Sequence, residues 1–249
     1  MIRMKLLKHL PNTLTCLNLL TGTLAILYAV QGRCDWVLYL MAISAGFDFL
    51  DGFAARLFKA YSPLGKELDS LADLISFGVV PALLLHARYT TTITLHQLPE
   101  VISWFPLILA AFSALRLAKF NLDDRQHTNF IGLPTPAAAL LIASGLYFSE
   151  GLDQTSCWNI VLNHPITLPV LTSIIAWLLI CEQPMFSLKI KSLDWKGNQI
   201  RYIFAAWTVI SLPVFALFFK PMLAVWPFFI LTSYILLNLI NNLIQRLNR

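Results

Sequence analysis

Apolar residues run along this chain in eight long stretches separated by short polar connections. The stretches cover approximately residues 13–30, 36–57, 67–87, 101–119, 133–149, 165–182, 202–219 and 223–243. Several have the length an α-helix needs to cross a hydrocarbon layer of ~30 Å. A barrel strand would alternate apolar and polar positions over about ten residues. These runs do not alternate, so they predict helices, whose backbone groups are all satisfied within the segment. The expected fold is all-α: a polytopic membrane bundle of about eight transmembrane helices, forming a single integral membrane domain over 1–249. Pro213, Pro221 and Pro227 can kink or break the last two spans. The first span lacks a small-residue cleavage pattern at its end and reads as a retained helix.

Composition agrees. Hydrophobic residues make up 57% of the 249 residues and charged residues 12%, about half the charge of an ordinary soluble domain. A disordered chain and a soluble enzyme are both poor fits. The net charge of +5 raises nucleic acid or an acidic surface as a partner, but its distribution points elsewhere. With the N-terminus in the cytoplasm, 15 of the 18 Lys and Arg residues fall on the cytoplasmic side, and only Arg33, Arg88 and Lys220 fall outside. That is the positive-inside pattern. It places both termini in the cytoplasm and needs no nucleic acid. The basic side also suits anionic membrane lipids. Cys16, Cys34, Cys157 and Cys181 are scattered and form no metal-ligand or redox motif. The five histidines lie near span ends or in loops.

Four aspartates interrupt the second and third spans: Asp48, Asp51, Asp69 and Asp73. A carboxylate at mid-bilayer costs at least ~2.5 kcal/mol, so each needs a partner. Asp48 and Asp51 are three apart and share a helix face; Asp69 and Asp73 are four apart and share another, in one stripe with Gly65. Ser62 and Pro63 suit the cap and first turn of the third helix. An antiparallel hairpin lets the two acidic faces meet. Carboxylates crowded in a low dielectric repel unless protonated or bridged by cations, and hard divalent ions take oxygen ligands. No His or Cys accompanies them, which argues against structural zinc. Inter-helix ion pairs with Arg56, Lys59 and Lys66, or an acidic cation or proton pathway, are the other readings of these residues. Gly52 and Ala55 leave room for a ligand beside the helix, and Arg56 offers a guanidinium to a phosphate. Asp73, ten residues past Pro63, lies about 15 Å along the helix, in the cytoplasmic half of the membrane.

The run Asp48-x-x-Asp51-Gly52-x-x-Ala55-Arg56, eight residues, then Gly65-x-x-x-Asp69-x-x-x-Asp73 resembles the signature of the CDP-alcohol phosphotransferases at all eight of its positions. The resemblance implies an integral membrane enzyme that displaces CMP from a CDP-activated group with an alcohol, depends on Mg²⁺ or Mn²⁺, and forms a homodimer. It places Asp48, Asp51, Asp69 and Asp73 around two metal ions, with Asp73 as general base toward the acceptor hydroxyl. It sets Gly52, Ala55, Arg56 and Gly65 around the CDP moiety. The catalytic core it implies spans 8–150, with three additional transmembrane helices over 165–243.

Two further stretches narrow the resemblance. One is Pro11-Asn12-x-x-Thr15-x-x-Asn18-Leu19-x-x-Gly22. The other is Arg116-Leu117-Ala118-Lys119-Phe120-Asn121 followed by Phe130-Ile131-Gly132-Leu133-Pro134-Thr135-Pro136-Ala137-Ala138-Ala139. Both look like the membrane-embedded phosphatidylserine synthases. That branch implies CDP-diacylglycerol and L-serine as substrates, phosphatidylserine and CMP as products, and a cytoplasmic-membrane enzyme whose site faces the cytosol. Thr15 and Asn18, a helical turn apart, either line the nucleotide pocket or make helix–helix hydrogen bonds. Arg116 and Lys119 are candidates for the serine carboxylate, with Asn121 assisting; the plainer role of the two cations is the positive-inside flank. Gly132 and Pro134 impose a tight turn, and Pro136 begins the fifth helix. Glycerol phosphate, inositol phosphate or choline as acceptor, and a non-enzymatic transporter, are the alternatives. A phosphorylated acceptor calls for a denser basic pocket than Arg56, Arg116 and Lys119 provide.

Overall fold

A computed structural model describes residues 8–123, 130–153, 155–186, 198–218 and 224–247. Arg3, Lys5, Arg125, Lys189, Lys191, Lys196, Lys220 and Arg249, used above for orientation, lie outside the described residues, as does Pro221.

The first two helices are α1 (Leu10–Val30) and α2 (Cys34–Leu57). α1 buries Pro11, Thr15, Asn18, Gly22, Ala25 and Ala29. Those positions step alternately by four and three, the 3.5-residue period of a left-handed seam. The side chains are short, so a neighbouring backbone comes close. Across the seam α2 buries Cys34, Val37, Met41, Ser44 and Asp51, and the Thr21 and Ser44 hydroxyls meet at 2.6 Å. The outer face of α1 is equally apolar, with Leu20, Leu24, Leu27 and Val30 exposed. A helix apolar on all sides belongs in lipid. Gly32, at φ +70°, makes the short turn to α2; glycine adopts that backbone without steric cost.

The next helix, α3 (Pro63–Leu95), has 33 residues and is about 50 Å long. It starts where the sequence placed its cap: Ser62 Oγ accepts from Gly65 N at 3.0 Å. Its first part, Pro63–Asp73, carries the polar residues. Leu74–Val79 then widens to a π-helical turn, with Val80 N donating to Ile75 O. This irregularity sits just ahead of Pro81, which has no N–H to continue an α-helical ladder. The turn packs against α1: Ser76 Oγ donates to Asn18 O at 3.1 Å. α4 (Glu100–Leu122) opens as a 3₁₀ segment, Glu100–Leu107, and packs on α3 and the π turn.

Beyond α4 come the strand β1 (Phe130–Ile131), α5 (Thr135–Glu150), the short α6 (Cys157–Leu162), α7 (Thr167–Ile180), the strand β2 (Pro184–Met185), α8 (Gln199–Phe218) and α9 (Trp226–Leu247). α5 packs against α2, α3 and α9, and α7 against α4. Phe148 stacks on Phe228 at 5.9 Å between ring centres, over Gly145. α8 buries least of the six long apolar helices. Pro213 lies inside α8 without ending it, and Pro227 sits in the first turn of α9.

The fold is all-α and polytopic. Six helices among the described residues, α1 to α4, α8 and α9, are long and apolar enough to cross a membrane. The fifth and sixth expected spans are helical but short: α5 has 16 residues and α7 has 14, about 24 Å and 21 Å against a core of ~30 Å. The sequence suggested no strand pair; β1 and β2 join in antiparallel register, Phe130 opposite Met185 and Ile131 opposite Pro184.

The close approach of α1 to the π turn is testable. A Cβ on Gly22 would lie 2.1 Å from Ser76 Oγ and 2.9 Å from Ser76 Cα. Gly22→Ala is expected to lower the melting temperature in detergent, by the ~1–3 kcal/mol typical of overpacking. An unchanged melting temperature would mean that these backbones do not meet.

Candidate active site

The acidic residues converge as their helical spacing requires. α2 brings Asp48 and Asp51, and α3 brings Asp69; one carboxylate oxygen from each lies within 4.8 Å of the others. Asp51 and Asp73 are buried, while Asp48 and Asp69 are half-buried. Asp73 stands one turn beyond Asp69, next to the π turn, within electrostatic reach of Asp48, Asp69 and Asp51.

α1 supplies the neutral donors. Thr15 Oγ1 donates to Asp51 Oδ2 at 2.6 Å, and Asn18 Nδ2 donates to Asp73 Oδ1 at 3.2 Å. Thr15 and Asn18 therefore make helix–helix hydrogen bonds whose acceptors are the acidic residues themselves. Among the described residues, Arg56, Lys59 and Lys66 form no ion pair with the four aspartates. Lys66 Nζ donates instead to Asn121 O at 2.9 Å. Ion pairing therefore does not account for the cluster.

The donor set fits a hard divalent cation. It consists of carboxylate oxygens only, and Asp69 Oδ1 is buried with no hydrogen-bond partner. A buried acceptor left unmatched is costly unless something positive or a donor meets it. Asn18 Oδ1 is a second buried oxygen with no partner.

The remaining predicted residues surround this core. A Cβ on Gly52 would meet only Arg56 Nη1, at 3.8 Å, so the flank beside it is open. Ala55 is half-buried and Arg56 exposed on the same helix. Gly65 is close-packed: a Cβ there would lie 3.0 Å from Ser62 Oγ and 3.1 Å from Asn12 Oδ1.

Arg116 is buried on α4. Its Nη1 donates to Thr135 Oγ1 at 3.3 Å, and its guanidinium carbon lies 5.0 Å from the centre of the Phe120 ring. It is within electrostatic reach of Asp73. Lys119 is exposed. Asn121 Nδ2 donates to Ser70 Oγ at 2.7 Å, tying the end of α4 to α3 beside Asp69. Thr135, Ser70 and Asn12 were not singled out in the sequence. Thr135 and Asn12 each lie inside a motif quoted above; for Thr135 the available signal is its position at the head of α5.

This architecture, a helical membrane bundle with carboxylates from two adjacent helices facing one another, defines the class. Residues 8–183 match the CDP-alcohol phosphatidyltransferase family, and the chain belongs to it. A protein of Mycobacterium tuberculosis named CDP-diacylglycerol–serine O-phosphatidyltransferase is 37% identical over 164 residues, covering 61% of this chain and 54% of that one. One of the same name from Bacillus subtilis is 33% identical over 136 residues, 55% of this chain and 74% of its own. The archaetidylserine synthase of Methanothermobacter thermautotrophicus is 38% identical over 137 residues, 54% of this chain and 56% of its own. The chain thus spans about half the length of most of these relatives.

Asp69→Asn is expected to weaken Mn²⁺ binding at least about tenfold, because a charged ligand becomes neutral. Free Mn²⁺, titrated by electron paramagnetic resonance, reads this without turnover. Unaltered binding would remove Asp69 from the cation site.

Proposed function

We propose that this chain transfers the phosphatidyl group of CDP-diacylglycerol to the hydroxyl of L-serine, giving phosphatidylserine and CMP. The observation that carries this reading is the meeting of Asp48, Asp51 and Asp69 within 4.8 Å, one turn from Asp73 and within charge range of buried Arg116. Family membership and the serine-specific names of the relatives supply the reaction class and acceptor.

Asp48, Asp51 and Asp69 would hold Mg²⁺ or Mn²⁺, with Asp73 completing a site for two ions. Held by these carboxylates, such cations would supply charge neutralisation for the diphosphate and for the departing CMP. Asn18 keeps one oxygen of Asp73 occupied and so fixes the carboxylate plane; the other oxygen takes the proton of the serine hydroxyl. The serine oxygen bonds to the phosphorus of the phosphatidyl group, and the bond from that phosphorus to the bridging oxygen breaks. CMP leaves with the electron pair. Arg116 receives the serine carboxylate, a pairing for which a planar guanidinium is suited. Thr135 and the Phe120 ring hold Arg116 in place before substrate arrives. Thr15 orients Asp51. The open flank at Gly52 and Ala55, with Arg56 beyond it, accommodates the CDP moiety. Lys119, exposed on α4, adds positive potential at the entrance.

The same reading places the protein in the cytoplasmic membrane as a homodimer, crossing about eight times with both termini and the site on the cytosolic side. The lipid substrate then slides in between helices, and serine and CMP exchange with the cytosol.

The decisive assay is CMP release by purified protein with CDP-diacylglycerol and Mg²⁺ or Mn²⁺. Release should require serine and yield phosphatidylserine. Release with glycerol phosphate, inositol phosphate or choline, and none with serine, would overturn the acceptor; flux of a solute with no CMP release would overturn the enzyme. Asp73→Asn is expected to cut kcat by about 10²–10⁴, the usual worth of a general base, while CDP-lipid binding persists. Normal kcat in that variant would exclude Asp73 as base. Arg116→Ala should raise the serine KM by at least about tenfold, as removal of a charged hydrogen-bonding partner does. An unchanged serine KM would move the carboxylate site elsewhere.

A further inference from the structure

The family match ends at residue 183, yet the helix farthest from it in sequence reaches back toward the acceptor side of the site. Three residues at successive turns of α9 point at one short segment. Tyr234 Oη donates to Phe186 O at 2.9 Å. Phe186 N donates to Asn238 Oδ1 at 2.8 Å. Asn242 Nδ2 donates to Pro184 O at 2.9 Å. All three are buried. Asn238 is further fixed by its own amide, which donates to Tyr234 O at 2.8 Å. The Tyr234 ring packs edge-on against Phe186 and Phe204, at 4.9 and 5.6 Å between centres.

The segment so held is β2 and the residue after it. β2 pairs with β1, and the link continues past the strands. Gly132 N donates to Gln183 O at 3.0 Å and Leu133 N to Leu178 O at 2.8 Å. Gly132 is fixed in the left-handed region at φ +73°, where a Cβ would lie 2.7 Å from Leu179 O. Three residues on, Thr135 receives the Arg116 guanidinium. A second route runs through rings: Phe130 of β1 lies 6.3 Å from Phe120, and Phe120 lies under Arg116. Both routes from the strand pair end on the same guanidinium. Polar side chains in an apolar helix need a reason to be there, and backbone atoms of 184–186 account for all three.

We propose that Tyr234, Asn238 and Asn242 are positioning residues that clamp the β1–β2 pair and so set the place of Arg116 toward the acceptor. The clamp rests on Arg116 being the acceptor-carboxylate ligand. It makes the C-terminal helix part of acceptor selection, although among the described residues no hydrogen bond or ion pair joins that helix to Asp48, Asp51, Asp69 or Asp73. Tyr234 also lies within electrostatic reach of Arg116.

The test uses the full chain with CDP-diacylglycerol and Mn²⁺. Tyr234→Phe keeps the ring and removes one hydrogen bond; Asn242→Leu removes another. Together they should raise the serine KM about tenfold, as two lost hydrogen bonds would, with the CDP-diacylglycerol KM and kcat within about twofold. Asn242→Gln, which keeps the amide donor, should lie closer to the parent than Asn242→Leu. In an Arg116→Ala background the pair should add nothing. If the double variant does not fold, each single variant is expected to raise the serine KM about threefold. Equal rises in both KM values with a fall in kcat, or an unchanged serine KM in a folded variant, would overturn the clamp. Amide exchange at 130–135 gives a readout that needs no substrate: it should speed up in Tyr234→Phe and Asn242→Leu. A parent enzyme that ignores serine would overturn the proposed acceptor alone; the clamp would then stand or fall on that exchange, and unchanged exchange would overturn it.

Discussion

Burying carboxylates is the constraint around which this chain is arranged. Asp48, Asp51, Asp69 and Asp73 lie on helices otherwise apolar enough for lipid, and each must be compensated where water is scarce. The protein supplies only part of the compensation. Thr15 and Asn18 each give one hydrogen bond to an acidic residue, and Arg116 lies within charge range of Asp73. Asp69 keeps a buried oxygen with no protein partner. A fully neutralised cluster would be more stable and would have no appetite for a cation. The under-compensated state is the one a cation site needs.

The helices are shaped to serve that arrangement. The small-residue seam of α1 brings its backbone against the π turn of α3, so that Asn18 contacts Asp73 by its amide and Ser76 by its carbonyl. The π turn follows Asp73 directly. Widened turns of this kind are frequent at functional sites; here the widening lies between the acidic end of α3 and the apolar remainder that packs on α4. The two portions can thus meet different neighbours at different rotational settings.

Much of this was legible in the sequence because helical periodicity is strict. Spacings of three and four put Asp48 with Asp51 and Asp69 with Asp73, and Ser62-Pro63 fixed where α3 begins. The sequence left Thr15 and Asn18 undecided, since their partners depend on how α1 is rotated against α2 and α3, a property of the packed seam. It placed Asn121 and Lys119 together with Arg116, but only Arg116 is buried, against Thr135 and Phe120; Lys119 is exposed and Asn121 turns to Ser70. Hydropathy marked α5 and α7 as spans because it averages over a window, whereas their ends are set by Pro134 and the turn after Ile180. The β1–β2 pair is too short for any alternation to show. Tyr234, Asn238 and Asn242 gave no signal as separate residues in an apolar span; their common target becomes visible only in three dimensions.

The tight turn at Gly32 has a consequence for how the protein enters a membrane. With so short a connection, α1 and α2 emerge during synthesis as a hairpin, and the half of α2 carrying Asp48 and Asp51 follows α1 closely. Thr15 is already present when Asp51 arrives, whereas the partners on α3 and α4 are not yet made. Within that hairpin the seam offers Asp51 a hydrogen-bond partner before any residue of α3 or α4 has been made.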